Sequence, residues 1–507
     1  MCASLRLNKE FNMIYRSTRG NAEASDTRAV LNGIAPDGGL YVYPELGEKK
    51  INLEEVKDLD CYEMSSKIIS FLLPGFENTD KLVDKAYRGR FSGGQLAPLA
   101  QVGDVHVMEL WHGPTSAFKD VALCMLPRLM ISAKEKENDR KETVILTATS
   151  GDTGKAALEG FHDVDGTKII VFYPDGGVSK VQFTQMATQE GKNVYVCGIR
   201  GNFDDCQTGV KIALNAISRS DTLKQSNFEM SSANSINIGR LTPQVVYYFT
   251  AYFDLVREGK IKIGDRVDYV VPTGNFGDIL AGYFAKRIGL PVGRLVCASN
   301  QNNILTDFIH TGIYDRRRDF YRTSSPSMDI LVSSNLERLL FYSSGCDSSF
   351  VSDCMSRLSR DGVYSVDEII MEEIRKDFSA GCCSEKETAE TISSVWNESH
   401  YLCDPHTAVA MKVAKEYMKT REDGNEVVVL STASPYKFSK DVLTALGGKA
   451  SADEFDDMDE LSRVTGIEIP ENLSTLRNKK ILHRDVEDKE NIISYILDKL
   501  GLEGIEK

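Results

Sequence analysis

Short apolar runs, rich in β-branched residues and closed by turn residues, recur along the chain, and each gives way to a segment with helical apolar spacing. They read TVILTAT from Thr143, TKIIVFYPD from Thr167, VYVCGIRG from Val194, DYVVPTGN from Asp268, RLVCASN from Arg294 and EVVVLSTAS from Glu426. A strand apolar at nearly every position is buried on both faces, the condition of a parallel sheet covered by helices. Alternation of such strands with amphipathic helices predicts an α/β protein of the doubly wound class. Before Leu110 the pattern differs: NGIAPDGGLYVYPEL is turn-rich, and INLEEVKDLDCYEMSSKIISFLL spaces its apolar residues at i, i+3 and i+4. This predicts a separate N-terminal cap. The run KEKENDRKE at 134–142 reads as a solvated helix end and connector. After Ser451 the acidic SADEFDDMDE and a Lys/Glu-rich helix read as a peripheral extension.

A chain of 507 residues exceeds one ordinary core, so two or three domains are expected. Its 42% hydrophobic and 26% charged content is that of a folded soluble protein. A net charge of −14 repels nucleic acid and anionic lipid, so an anionic small substrate has to be caught by a local cluster of donors. The eleven cysteines are scattered apart from Cys382-Cys383, with no C-x-x-C pair, which speaks against a metal centre or redox dithiol. The opening MCASLRLNKEFNMIYRSTRG has no apolar signal region, and no run of about 18 apolar residues occurs. Together these features predict a cytoplasmic protein with reduced thiols.

Ligands of doubly wound sheets sit outside the carboxyl ends of the strands, so three strand ends draw attention. The first, TATSGDTGKAAL at 147–158, imitates a nucleotide phosphate loop, but Thr149 and Ala156 stand where that pattern needs Gly and Ser/Thr. It reads either as an anion loop on a helix N-terminus or as a tight turn capped by Ser150 or Thr153. The second, VVPTGNFGDILAGYFAKRIGLP, brackets a loop with Gly274 and Gly277 and starts a helix at Asp278, which suits a phosphate held by backbone N–H groups. In the third, HVMELWHGPTSAFKDVAL, Lys119 follows Phe118 at a helix mouth. Desolvation there would lower its pKa and make it a nucleophile or base, whereas most lysines simply face solvent.

Taken together, HGPTSAFKD, SGDTG and GNFGD resemble the threonine synthase family, pyridoxal-phosphate enzymes of fold type II with the tryptophan-synthase β-subunit fold. STRG, APDGGLYVYP, PDGGVSKVQFTQM, NSINIGR, LCDPHTAVA and STASPYKF extend the resemblance over almost the whole chain. It implies two open, twisted, mostly parallel-sheet lobes with helices on both faces, plus the N-terminal cap. The expected division is a cap at 1–100, a large cofactor-binding domain at 101–140 and 255–450, a small domain inserted at 141–254, and a C-terminal helical extension at 451–507. By the same resemblance Lys119 is the Schiff-base lysine, and Gly274, Asn275, Phe276, Gly277 and Asp278 hold the cofactor phosphate. Thr432 contacts the pyridine nitrogen, with Ser431 the alternative.

The implied reaction converts O-phospho-L-homoserine and water to L-threonine and phosphate. The substrate carboxylate suits Thr149, Ser150, Gly151, Asp152 and Thr153, through helix-terminal N–H groups. Candidates for its phosphate are Lys155, Asn237 and Arg240, the last favoured for its planar fork unless it serves an ion pair at a helix start. His112 is expected to orient the lysine loop, His406 to bond at a helix start, and Asp278 to cap its helix. No metal, nucleic acid or membrane is implied, and the expected state is a monomer or homodimer. The rival readings are a phospho-lyase releasing 2-oxobutyrate and ammonia, and a non-catalytic binder of a phosphorylated metabolite.

Overall fold

The computed structural model of the chain describes residues 13–502. Two parallel sheets dominate. The larger has the order Phe378–Cys382, Val292–Ser299, Val267–Pro272, Glu426–Ser431, Val105–Glu109, Leu99–Val102, with only the last pair antiparallel. The smaller runs Asp485–Asp488, Val194–Arg200, Thr167–Pro174, Glu142–Ala148, Phe228–Ser232 and is parallel throughout. All six apolar runs read from the sequence are strands of these sheets. The edge strands FEMSS and FSAGC were not legible, because an edge strand is half solvated and carries no continuous apolar run.

The N-terminal segment adds a three-stranded antiparallel sheet, Glu23–Ser25, Ile14–Ser17 and Tyr41–Val42. It is joined to the larger body through Arg338, whose guanidinium is fully buried. That charge is tolerated because its nitrogens donate to the carbonyls of Tyr41 and Ile236 and to Asn335. The helix Ile238–Arg257 is apolar nearly all round and buries Tyr247, Tyr248, Phe249 and Tyr252, as a central core helix must.

Two expectations change. Residues 451–502 are not peripheral: Asp485–Asp488 pairs in parallel with Val194–Arg200, and Ile492 and Ile496 of the helix Ile492–Leu500 enter the core of the smaller sheet. Phe455, Leu461 and Leu473 pack instead with Tyr436 and Val442 beside the larger sheet. One chain segment therefore serves both sheets, which its acidic composition concealed. Lys134, the first residue of the charged run, is likewise buried rather than solvated, with its ammonium 2.7 Å from Glu229 and 2.8 Å from Thr143 Oγ1.

Because Ile496 is fully buried, Ile496→Ala is expected to lower unfolding stability by about 2–5 kcal/mol. Urea unfolding reads this directly; a loss below about 0.5 kcal/mol would mark the segment as a dispensable tail.

Candidate active site

Parallel strands end side by side, so the loops after Glu142–Ala148, Val267–Pro272 and Glu426–Ser431 open toward one cavity of about 190 Å³. Its walls include Lys119, Thr149, Ser150 and Thr153 together with the run from Gly274 to Asp278, Arg240 and Thr432. The lysine loop is fastened to the strand end beside it: Phe118 N–H donates to the Thr432 carbonyl at 2.9 Å, and Ala117 bridges Ala433.

Lys119 opens the helix Lys119–Glu137 and is 6% exposed. Its Nζ lies 3.7 Å from Asp152 Oδ2, 3.4 Å from Ser327 Oγ, and 4.6 Å from the centre of the Phe118 ring. Burial pushes the amine down to about 8, helped by the nearby cations Lys437 and Arg240 and opposed by Asp152. The lysine is thus the desolvated one that the sequence allowed, not a surface residue. Just before it the chain takes an unusual path, with Ser116 at φ 57° in the left-handed region. Asn472, from the C-terminal segment, holds this bend by donating to the Pro114 carbonyl and to Ser116 Oγ, both at 2.9 Å.

In the SGDTG loop neither Ser150 nor Thr153 caps the helix Asp152–Phe161. Thr149 Oγ1 accepts from the N–H groups of Gly151 at 2.9 Å and Gly154 at 2.8 Å. The N–H groups of Asp152 and Thr153 lie in the first helical turn and have no intrahelical acceptor. Gly151 has φ 137°, and a Cβ there would stand 2.4 Å from the Gln182 carboxamide, so only glycine fits. Gly151 and Asp152 lie behind the cavity wall rather than in it. The Asp152 carboxylate accepts from Lys437 at 2.6 Å and from Gln182 at 2.9 Å. Burial favours its protonation, but the ammonium groups of Lys437 and Lys119 outweigh this and hold it well below the usual carboxylate range. Any anion here meets N–H groups and hydroxyls, with the acid turned to the lysines.

The loop from Gly274 to Phe276 leads into the helix Gly277–Arg287, with Phe276 at φ 61°. A Cβ on Gly274 would come 2.5 Å from the Ser327 carbonyl oxygen. The carbonyl of Gly274 accepts from Ser333 Oγ at 2.9 Å and that of Asn275 from Asn335 N–H and Nδ2 at 3.1 and 3.0 Å. With the carbonyls taken from behind, the N–H side of the loop and the helix N-terminus are left to the cavity. Asp278 does not cap its helix: its Oδ1 accepts from Tyr247 at 2.5 Å and Tyr248 at 3.3 Å. Burial pushes its carboxyl up to about 7, against the pull of both tyrosines and Lys119, so the charged form that would oppose an anion here is disfavoured.

Thr432 lines the cavity, whereas Ser431 Oγ accepts from Trp111 Nε1 at 3.1 Å and from Thr407 Oγ1 at 3.0 Å. Arg240 is in the wall, 3% exposed, and burial pushes its guanidinium down to about 10. Among the described residues it makes no ion pair: Nη1 donates to the Ala233 carbonyl at 2.9 Å and Nε has no partner. Asn237 and Lys155 are engaged elsewhere. Asn237 Oδ1 caps Gly239 N–H and its Nδ2 donates to the Val30 carbonyl, while Lys155 pairs with Glu159 and Gln189. His112 sits on Glu109 at 2.8 Å, outside the cavity wall. His406 is in that wall, its Nδ1 on Asp404 and its Nε2 accepting from Ser327 N–H at 3.2 Å.

These residues fit pyridoxal phosphate. The cofactor needs an amine that loses its proton near neutrality, a cradle of N–H groups for a dianion, and a hydroxyl for its ring nitrogen. Lys119, the backbone from Gly274 to Asp278, and Thr432 meet these needs from three walls of one cavity. Two contributors escaped sequence reasoning. Ser327 lies in a short turn, Pro326–Met328, with no motif to flag it. Lys437 stands inside STASPYKF, but no spacing rule pointed from it to Asp152.

Comparison with known proteins points to the same cofactor. The family described as pyridoxal-phosphate dependent enzyme matches residues 94–433, flanked by matches to the threonine synthase N terminus at 14–87 and the threonine synthase C-terminal region at 407–493. Human threonine synthase-like 1 is 38% identical over 435 residues, covering 83% of this chain but only 58% of that longer protein. Threonine synthase of Saccharomyces cerevisiae is 35% identical over 526 aligned positions, covering 96% and 99% of the two chains. The crystal structure of pyridoxal-phosphate-bound threonine synthase from Brucella melitensis superposes with a TM-score of 0.84 at 38% identity, over 96% of this chain and 99% of that one. The chain belongs to the threonine synthase family of pyridoxal-phosphate dependent enzymes.

Proposed function

We propose that the chain converts O-phospho-L-homoserine and water to L-threonine and phosphate. The observation that carries this reading is a buried lysine, its amine pushed down to about 8, set in one cavity between two glycine-bearing loops that each lead into a helix N-terminus. When bound, pyridoxal phosphate supplies the electron sink that lets protons leave the substrate's Cα and Cβ. In this reading Lys119 would hold the cofactor through Nζ, and its freed amine would take the proton from the substrate's Cα and carry protons at Cβ. Its depressed pKa suits both roles, since a fully protonated ammonium could neither attack nor accept. The backbone from Gly274 to Asp278 would hold the cofactor phosphate, and the Thr432 hydroxyl in the cavity wall would serve its ring nitrogen.

The loop from Thr149 to Thr153 orients the substrate carboxylate through backbone N–H groups and hydroxyls. Arg240 takes the leaving phosphate as the C–O bond at Cγ breaks, being a buried cation in the wall that no acid of the described residues pairs. Lys155 and Asn237 have no part in this, because their side chains are already bonded behind the wall. No helix among the described residues is long and apolar enough to cross a membrane. The reading places the enzyme in the cytoplasm as a monomer or homodimer acting on a small molecule, without nucleic acid, and adopts the domain division expected from the sequence except at 451–502, which joins the smaller sheet and packs beside the larger one.

Three outcomes are expected. Lys119→Ala loses the near-visible absorbance of a lysine-bound cofactor, and turnover falls by more than about 10³-fold; wild-type-like turnover would remove Lys119 from the mechanism. The rate at which cofactor-free protein captures pyridoxal phosphate climbs with pH, is half-maximal near pH 8 and levels off above about pH 9, because only the unprotonated amine reacts. Stopped-flow absorbance reads that profile, and an ordinary lysine would keep climbing toward about pH 10. Incubation with O-phosphohomoserine yields threonine and phosphate in equal amounts by chromatography. Accumulation of 2-oxobutyrate would replace the reading with that of a phospho-lyase.

A further inference from the structure

Lys437 has no role in the reaction described above, yet its side chain is completely buried. Lysine is almost never fully buried unless an acid compensates it, and such groups concentrate where charge is used. Lys437 lies in the short turn Pro435–Phe438 that follows Thr432. Its Nζ donates to Asp152 Oδ1 at 2.6 Å and to the Thr115 carbonyl at 3.1 Å. Thr115 in turn donates its N–H and hydroxyl to Asp120, the residue after Lys119. The second oxygen of Asp152 stands 3.7 Å from Lys119 Nζ. One carboxylate is therefore divided between two ammonium groups, with the shorter bond on the lysine that does no chemistry.

We propose that Lys437 is a positioning residue: it fixes the Asp152 carboxylate between itself and Lys119, and so tunes the amine of Lys119 for proton transfer. Two effects of Lys437 act in one direction. Its charge repels a proton on Lys119, and its grip on Oδ1 keeps Asp152 from turning wholly to Lys119. Asp152 acts in the opposite direction, since a carboxylate beside an ammonium keeps the proton on. The other charged groups around Lys119 are Arg240 and Asp120, with the Asp278 carboxyl beyond, and none of them touches Lys437. Burial alone lowers the amine; the Lys437 and Asp152 pair sets how far.

The inference rests on the reading of Lys119 as the cofactor lysine, and the test separates the two. Full-length cofactor-free protein is acetylated with limiting acetic anhydride across about pH 6 to 11, and the Lys119 peptide is quantified by mass spectrometry. Wild type is expected to titrate near pH 8 and to be protected by pyridoxal phosphate. Lys437→Met is expected to raise the midpoint by at least about one unit, so that labelling near pH 7 falls about tenfold. Lys437→Arg keeps the charge and the pair and is expected to restore the wild-type midpoint. Asp152→Asn is expected to move it downward, a sign that a purely structural tie between loops would not produce, and this arm remains if Lys437→Met fails to fold. An unmoved midpoint in folded Lys437→Met, or in Asp152→Asn, overturns the inference alone. Loss of protection by pyridoxal phosphate in wild type overturns the reading of Lys119 itself.

Discussion

The active site is organised around the cost of keeping an ammonium group out of water. Lys119 is moved from its ordinary 10.5 to about 8, which corresponds to roughly 3 kcal/mol against the charged form. Such a lysine needs a dry wall and a measured amount of opposite charge. Phe118 supplies wall, Asp152 supplies charge, and Lys437 takes part of that charge away again. The loops that carry them come from both sheets, so the protonation of one amine depends on how those loops are held together.

The scaffold meets that demand by converging strand ends. Register between parallel neighbours, such as Val270 with Val429 and Leu430 with Met108, places the loops of the larger sheet side by side. The smaller sheet presents the SGDTG loop from across the cavity, and the buried helix Ile238–Arg257 contributes Arg240 to the wall between them. The C-terminal segment closes the arrangement, adding a strand to the smaller sheet and reaching the lysine loop through Asn472. It is at once an edge cover for one sheet and a support for the lysine loop of the other.

Burial acts in the same sense on the remaining charges of the site. It lifts the Asp278 carboxyl to about 7 and lowers the Arg240 guanidinium to about 10. A cavity that weakens its own anions beside the Gly274 loop is receptive to a phosphate, since N–H dipoles and the helix terminus then act against a carboxyl whose charged form burial disfavours. Thr149 contributes through geometry instead of charge. By accepting from Gly151 and Gly154 it shapes the turn, leaving neighbouring N–H groups for a ligand.

The apolar runs of the chain sufficed to place six buried strands, because a strand covered on both faces must be apolar at almost every position. Glycine spacing around Gly151, Gly274 and Gly277 likewise marked loops at strand ends, and HGPTSAFKD pointed to Lys119, which the fold buries in the wall of the cavity those loops border. Edge strands such as Phe228–Ser232 and Asp485–Asp488 stayed hidden, since half-solvated strands carry no such pattern. Which of Ser431 and Thr432 faces the cavity was open until neighbouring side chains were in place, for adjacent strand residues point to opposite sides and only Trp111 and Thr407 fix which. The partnership of Lys437 with Asp152, 285 positions apart, was equally beyond local pattern. Composition and periodicity act along the chain and so reveal elements; the charge state of a buried lysine depends on groups brought near it through space, and only the tertiary fold decides those.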